Sequence, residues 1–404
     1  MKRFQAHFLA PYRAYFGLPD VAAIVFIAWL ARMPFGMIGL AMLMFLRETL
    51  GDFKIAGSVL GIYYVSMAAF APVCGRIIDR IGPHLPLRVT GVLHSFFLAV
   101  LFVVASNHSP VWIVMMAAAF AGAFSPPIAV LTRTLWRHRF PDDITRRMAF
   151  SVDSIMIELN FTIGPAITAV VISVFGTRAA FLLAIVVTFA AFLIFLCTPA
   201  LRYWKHEQHI ERHFLGPLTE ARLVGLFIVT FGLTFSFGIL EVGYPAFATY
   251  LALPVLAGVF LGINSLGSAI GGAIYGVLHL KAPLERQFAA ALGFMSLPFL
   301  LHWWVDQAVV FAAIAFVAGT LIAPGLTAQT MLITHIAPNK YATEAFTWSS
   351  TFIVSGIGVG MAAGGAVAEM VDVKAPFLVG AIVLAGMSIA ALLLQPKQVD
   401  AKTA

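Results

Sequence analysis

Twelve stretches of this sequence are long and apolar enough to be helices that cross a lipid bilayer, and they leave little chain over for anything else. A crossing helix needs about 20 predominantly apolar residues. Such runs fall at 20–46, 54–75, 88–106, 110–134, 148–173, 177–199, 222–246, 254–279, 287–304, 308–334, 342–367 and 375–395. Of the 404 residues, 61% are hydrophobic and 11% charged, against about 25% charged in a soluble domain. A mean hydropathy of +0.95 would give a water-soluble globule an apolar surface, so lipid is the solvent for most of the chain. The expected fold class is an all-α membrane protein of twelve transmembrane helices.

The net charge of +7 does not point to nucleic acid, because the basic residues lie between the apolar runs, where orientation signals sit. With the N-terminus placed in the cytoplasm, 20 of the 25 Lys and Arg fall on inner connections and helix ends. Four (Arg47, Lys54, Arg178, Lys374) fall outside, and Arg32 lies within a span. That bias predicts both termini in the cytoplasm and an even number of crossings. Residues 1–20 read as a short tail before a retained first helix, since the apolar run that follows is too long for a signal peptide. Cys74 and Cys197 show no disulfide or metal-ligand spacing and read as small buried hydrophobes.

The one long connection, 200–221, is polar and charged and divides the chain into 1–199 and 222–404. The two parts are related. Ala121-Gly122 matches Ala318-Gly319, Pro127 matches Pro324 and Pro141 matches Pro338, all at an offset of 197. Ala149-Phe150 and Ala345-Phe346 follow at 196. Two six-helix halves in pseudo-symmetric repeat are what an alternating-access carrier is built from.

The loop after the second span reads Gly75-Arg-Ile-Ile-Asp79-Arg80-Ile-Gly82-Pro-His-Leu-Pro-Leu87-Arg88. It resembles the signature loop between helices two and three of the major facilitator superfamily, G-x-x-x-D-R-x-G-R-R-x-x-L. Gly75, Asp79, Arg80, Gly82 and Leu87 match, while Pro83 and His84 replace the two basic positions after Gly82. The resemblance implies two six-helix bundles with Asp79 set against the positive start of the eleventh helix. That contact would be a cytoplasmic latch, with Glu344 joining the cluster and Arg80 and Arg88 competing for Asp79 when it opens. It also implies that helices two and eleven, and five and eight, form the sliding contact between halves. The glycine-rich eighth and eleventh spans suit such a contact, or equally a tight static one. Gly164-Pro165 in the fifth span partly resembles the antiporter motif G-x-x-x-G-P-x-x-G-G, with Asn160 and Thr168-Ala169 departing from it. A Gly-Pro kink also occurs in membrane helices without that meaning.

Ionisable residues inside the spans carry the mechanistic signal, since a charge at the bilayer centre costs at least about 2.5–3.5 kcal/mol. Arg32 and Glu158 fall at nearly equal depth and are expected to face each other. Such a pair is either a proton-coupling element, the charge on Glu158 depending on whether Arg32 is beside it, or a static clamp between helices one and five. Glu241, toward the outer end of the seventh span, is a second titratable or gating candidate. Asp153, about one turn into the fifth span, is expected to be hydrated, with a lesser coupling role. Asp306, Glu369 and Asp372 fall at the outer surface. Tyr63, Tyr64, Asn160, Asn264, Trp348 and Ser349 are candidates for a solute cavity or for helix-packing contacts.

No nucleophile and base, nucleotide loop or metal cluster is visible, so an enzyme is not expected and no cofactor is implied. The sequence reads as a monomeric secondary transporter of a small organic solute in a bacterial inner membrane. Coupling to protons with export by antiport is favoured over symport import or uniport. A membrane sensor or an embedded enzyme is a remote alternative.

Overall fold

The computed structural model describes residues 14–140, 143–203, 216–278, 280–338 and 342–394. Among these the secondary structure is helical, as a chain in lipid requires: every backbone N–H and C=O must find a partner within its own segment. The crossings are α1 (Val21–Leu50), α2 (Phe53–Ile81), α3 (His84–Ser106), α4 in two pieces (Val111–Ala123 and Ile128–Arg139), α5 (143–175), α6 (177–196), α7 (Ala221–Tyr250), α8 (Val255–Val277), α9 (Leu284–Leu301), α10 in two pieces (Ala308–Gly319 and Ile322–Ile336), α11 (Ala342–Met370) and α12 (Ala375–Leu392). Among the described residues nine segments are individually long and apolar enough to cross a membrane. Ile155–Leu196 is one of them and holds two crossings, α5 and α6; α9 and the two-piece α4 complete the twelve.

The boundaries follow local chemistry. Gly51 closes α1 in the left-handed conformation, its N–H bonded to Arg47 O. Asp52 then caps α2 by accepting from Ile55 N at 2.6 Å. At Gly176, φ of 84° turns the chain between α5 and α6, a conformation that costs glycine little.

The fourth and tenth apolar runs, expected to be continuous, are each broken, and proline is the reason. Pro126 and Pro127 have no N–H for the carbonyls of Gly122 and Ala123, and α4 stops there. Pro324 likewise cannot bond the carbonyl four residues back, at Thr320, and its ring crowds that carbonyl; α10 breaks at Thr320-Leu321.

The two breaks lie at repeat-related positions, and the packing repeats with them. Gly122 of α4 sits on the Tyr63 backbone of α2, and Gly319 of α10 sits on the Asn264 backbone of α8. Gly36 brings α1 onto Asn160 and Gly164 of α5, and Gly238 brings α7 onto Ile357 and Gly360 of α11. In each case a Cβ would collide with the facing backbone, so the close approach requires glycine.

The halves touch through the same symmetry. Gly57 of α2 lies on Met361 and Gly365 of α11, and its counterpart Gly258 of α8 lies on Pro165 and Ala169 of α5. Phe53 N donates to Glu369 Oε2 at 3.2 Å, and Ser265 Oγ donates to Phe161 O at 3.2 Å. The contacts of Gly57 and Phe53 lie away from the face that carries the Gly75–Arg88 loop, called here the basic face, and the Ser265–Phe161 bond lies midway along α8 and α5. In the half remote from that face every residue of α1 from Gly36 to Leu46 is buried, and so are Gly238–Leu240 and Val242–Ala248 of α7. Toward the basic face the helices part: a Cβ at Gly75 or Gly276 would meet nothing within 4 Å, and Ile77 and Ile274 are exposed. Among the described residues the closest contacts between the halves thus gather away from the basic face.

Candidate functional site

Arg32 lies about 16 Å along α1 from Val21, and Asp153 about 15 Å along α5 from Asp143, at about 1.5 Å per residue. The two helices start on the same face, so these residues meet about a third of the way along each helix from that face. Arg32 Nη2 donates to Asp153 Oδ1, and the two side chains are 4% and 3% exposed. Arg32 Nε and Nη1, also buried, have no partner. They border a cavity of about 10 Å³ whose walls include Ala28, Trp29, Trp136, Val152 and Met156. The Trp29 indole N–H is buried and unpaired as well. Asn160 Nδ2 donates to Trp29 O at 3.2 Å, tying α5 to α1 beside the pair. Tyr15, ahead of α1, packs its ring on Trp136 and Phe140 with its hydroxyl buried and unpaired.

This differs from the sequence expectation in two respects. Asp153 is buried, not hydrated, because α5 begins at Asp143, one turn and more before its apolar run. The turn Asp143-Ile-Thr-Arg-Arg147 is too polar to register as part of a span. The partner of Arg32 in the structure is Asp153; the Glu158 side chain lies outside the described residues, as does that of Asp79. Trp29, Trp136 and Tyr15 were not legible as site residues, since an aromatic residue in an apolar run carries no signal separating a cavity wall from packing.

Glu241 sits where the halves meet. A methyl group on Gly39 of α1 would be 3.5 Å from the Tyr64 hydroxyl of α2 and 3.7 Å from Glu241 Oε2 of α7. Tyr64 is in edge contact with Tyr63, their ring centroids 5.1 Å apart. His94 of α3 donates from Nδ1 to Ala121 O at 2.7 Å beside a second small cavity lined by Tyr63, Ser125, Thr188 and Phe192.

The remaining candidates divide. Asn264 donates to Ala315 O at 2.9 Å, so Asn160 and Asn264 both use their amide N–H on a neighbouring helix. Ser349 is buried and accepts from Gln329 Nε2 at 2.9 Å, joining α10 to α11. Trp348 is half-buried against Phe352. Beside these residues, Thr327, Thr330 and Thr334 of α10 and Thr347 and Ser350 of α11 are exposed. Arg80 and Arg88 are exposed and Glu344 is buried. Gly164 and Pro165 stand at the junction of α5 with both α1 and α8. Cys74 is half-buried and Cys197 exposed, unlike the buried pair expected, because each lies near a helix end on the basic face. Among the described residues no three His, Cys, Asp or Glu side chains gather to hold a metal ion.

Comparison with known proteins agrees with this architecture. Residues 24–353 match the family description Major Facilitator Superfamily. The inner membrane transport protein YajR of Escherichia coli (strain K12) is 25% identical over 370 residues, which cover 86% of this chain and 76% of the relative. Among solved structures, a single-site mutant of the nucleoside transporter NupG superposes with a TM-score of 0.76 at 13% identity, covering 92% of this chain and 99% of that one. The unsubstituted NupG gives 0.75 at 11% identity over 93% and 99%. At such identities these two speak for the fold alone.

Proposed function

The chain belongs to the major facilitator superfamily and is a multi-pass membrane transporter of small solutes, not an enzyme, and from that premise we propose that it works by alternating access, coupled to protons, in a bacterial inner membrane. The observation that carries this reading is the one-sided contact between halves. Repeat-related helix pairs, α2 with α11 and α5 with α8, touch away from the basic face and part toward it. Because the same pairs are related by the repeat, rocking them would close the cleft and open the opposite side. The concentration of Lys and Arg assigns the basic face, and with it both termini, to the cytoplasm. In the state described here the cleft then faces the cytoplasm, with the hydroxyls of α10 and α11 along its wall. The latch of Asp79 and Glu344 would engage when it closes.

Coupling is assigned to the carboxylates within the membrane: Asp153 beside Arg32, Glu158 on the same helix, and Glu241 between the halves. A carboxylate that faces a guanidinium in one conformation and not in the other changes its proton occupancy between them. We take the direction to be export by antiport, on the Gly164-Pro165 pair at the α1–α5–α8 junction. A second reading, symport, is favoured by the Arg32–Asp153 pair itself, because a proton on Asp153 and a solute at Arg32 could load together.

Growth of overexpressing and deletion strains across toxic compounds and secreted metabolites identifies the solute. Antiport then predicts its accumulation in inverted vesicles driven by an acid interior. Accumulation in right-side-out vesicles driven by external acid would establish symport, and indifference to the gradient would leave a uniporter. Asp153→Asn and Glu158→Gln should each be tested for loss of uphill transport with solute counterflow retained. If both variants still concentrate solute on a proton gradient, neither residue carries the proton.

A further inference from the structure

We infer that the small cavity between α1, α4 and α5 is an oxyanion subsite, where Arg32 and Trp29 receive the carboxylate or phosphoryl end of the transported solute. The inference rests on the carrier reading above and adds a substrate class to it.

The argument is a count of donors and acceptors. Three buried nitrogens bordering this cavity have no hydrogen-bond partner: Arg32 Nε, Arg32 Nη1 and Trp29 Nε1. All three are donors, and neither a guanidinium nor an indole can accept. The carboxylate at the site, Asp153, is held by Arg32 Nη2. The rest of the wall is apolar: Val25, Ala28, Val152 and Met156. Buried polar groups are normally satisfied, and a cluster that is not calls for a partner. A carboxylate or phosphoryl oxygen only accepts, matching the three donors that stand free beside the Asp153 carboxylate. The shape of the guanidinium selects the same class, because its planar fork of donors matches a carboxylate or phosphoryl group in two-point fashion.

The geometry also sets a competition. Nη2 belongs to both edges of the guanidinium that can bind an oxyanion in two-point fashion, with Nε on one edge and with Nη1 on the other. A bidentate oxyanion must share or take the nitrogen that Asp153 now uses. The cavity, about 10 Å³, has room for little more than one water. Seating a carboxylate therefore requires Asp153 or the Trp136 ring to move, a local rearrangement between α1 and α5.

The test uses the full-length protein in lipid nanodiscs, with thermal unfolding followed against benzoate, its uncharged counterpart benzamide, inorganic phosphate and sulfate. Benzoate should raise the unfolding midpoint saturably while benzamide does not. Asp153→Asn, which removes the competing carboxylate, should tighten benzoate binding about tenfold or more. Trp29→Phe, which removes one donor and keeps the ring packing, should weaken it about threefold or more. Neither effect is expected of residues that only hold helices together. Arg32→Gln should abolish binding; should it not fold, the other two variants still decide. Equal effects of benzoate and benzamide, or unchanged benzoate titrations in both Asp153→Asn and Trp29→Phe, would overturn the subsite. A response to phosphate and sulfate without one to benzoate would assign the site to a free inorganic anion and overturn its assignment to a solute. Benzoate binding in a protein that moves no solute in vesicles would overturn the carrier reading and leave the subsite standing.

Discussion

A guanidinium and a carboxylate buried together within a membrane are stable only as a pair. Each alone would hold an uncompensated charge in low dielectric, and breaking a buried pair from one side costs about 3–5 kcal/mol. Arg32→Gln or Asp153→Asn should therefore lower stability by about that amount, read as a fall in the thermal midpoint of the purified protein. The double variant Arg32→Met with Asp153→Leu should recover most of the loss, because apolar residues of similar bulk replace such pairs without penalty, while transport stays abolished. A single variant within about 1 kcal/mol of the parent would mean that water reaches the pair. The sequence made Arg32 conspicuous, as a basic residue deep inside a span, and depth arithmetic set Glu158 opposite it, a side chain outside the described residues, while Asp153 is the partner the structure shows. The choice among carboxylates turned on where α5 begins. Hydropathy cannot see a polar first turn, so the start was placed at 148 instead of 143 and Asp153 fell in the wetter zone. The unpaired donors around Arg32 were out of reach for a different reason: whether an N–H is satisfied depends on neighbours from three helices.

At the scale of the helix, glycine decides what can slide. Gly57 lies so close to the α11 backbone that any Cβ meets Met361 O and Gly365. Gly57→Leu cannot be relieved by a rotamer, because the obstacle is main chain. It should separate α2 from α11 on the closed side and shift the population toward the opposite state. Native Cys74, half-buried on the basic-face half of α2, reports that shift. With Cys197 replaced by Ser, alkylation of Cys74 should slow about tenfold or more in Gly57→Leu, a population shift of about 1.4 kcal/mol. Unchanged labelling in a folded Gly57→Leu protein would show that this contact is not part of a moving interface. The element order was legible from apolar runs, because backbone satisfaction in lipid leaves the helix as the available choice. The breaks in α4 and α10 were visible as prolines but masked by hydropathy that continues across them. The repeat was found through those same prolines and the glycines before them, Gly122 and Gly319, which seat α4 and α10 on α2 and α8.

For the whole molecule, the distribution of Lys and Arg and the asymmetry of packing are independent observations that bear on one another. The first is the ground for the proposed cytoplasmic placement of the basic face; the second sets the closest described contacts between the halves away from that face. Together they predict that the stretch of α10 and α11 next to the basic face is wetted from the cytoplasm. Thr330 lies on the exposed stripe of α10 with Thr327 and Thr334, well inside the membrane by its place in the helix. In a background with Cys74 and Cys197 replaced by Ser, Thr330→Cys should react with a membrane-impermeant maleimide in inverted vesicles and resist it in right-side-out vesicles. Ser109→Cys, in the connection between α3 and α4 on the opposite face, should behave in the reverse way. Adding Gly57→Leu should protect Thr330→Cys, because the cleft closes as the other side opens. Reaction of Thr330→Cys from outside would invert the topology and turn the proposed exporter around. Inertness from both sides would place the threonine stripe against lipid and remove the water-filled cleft on which alternating access depends.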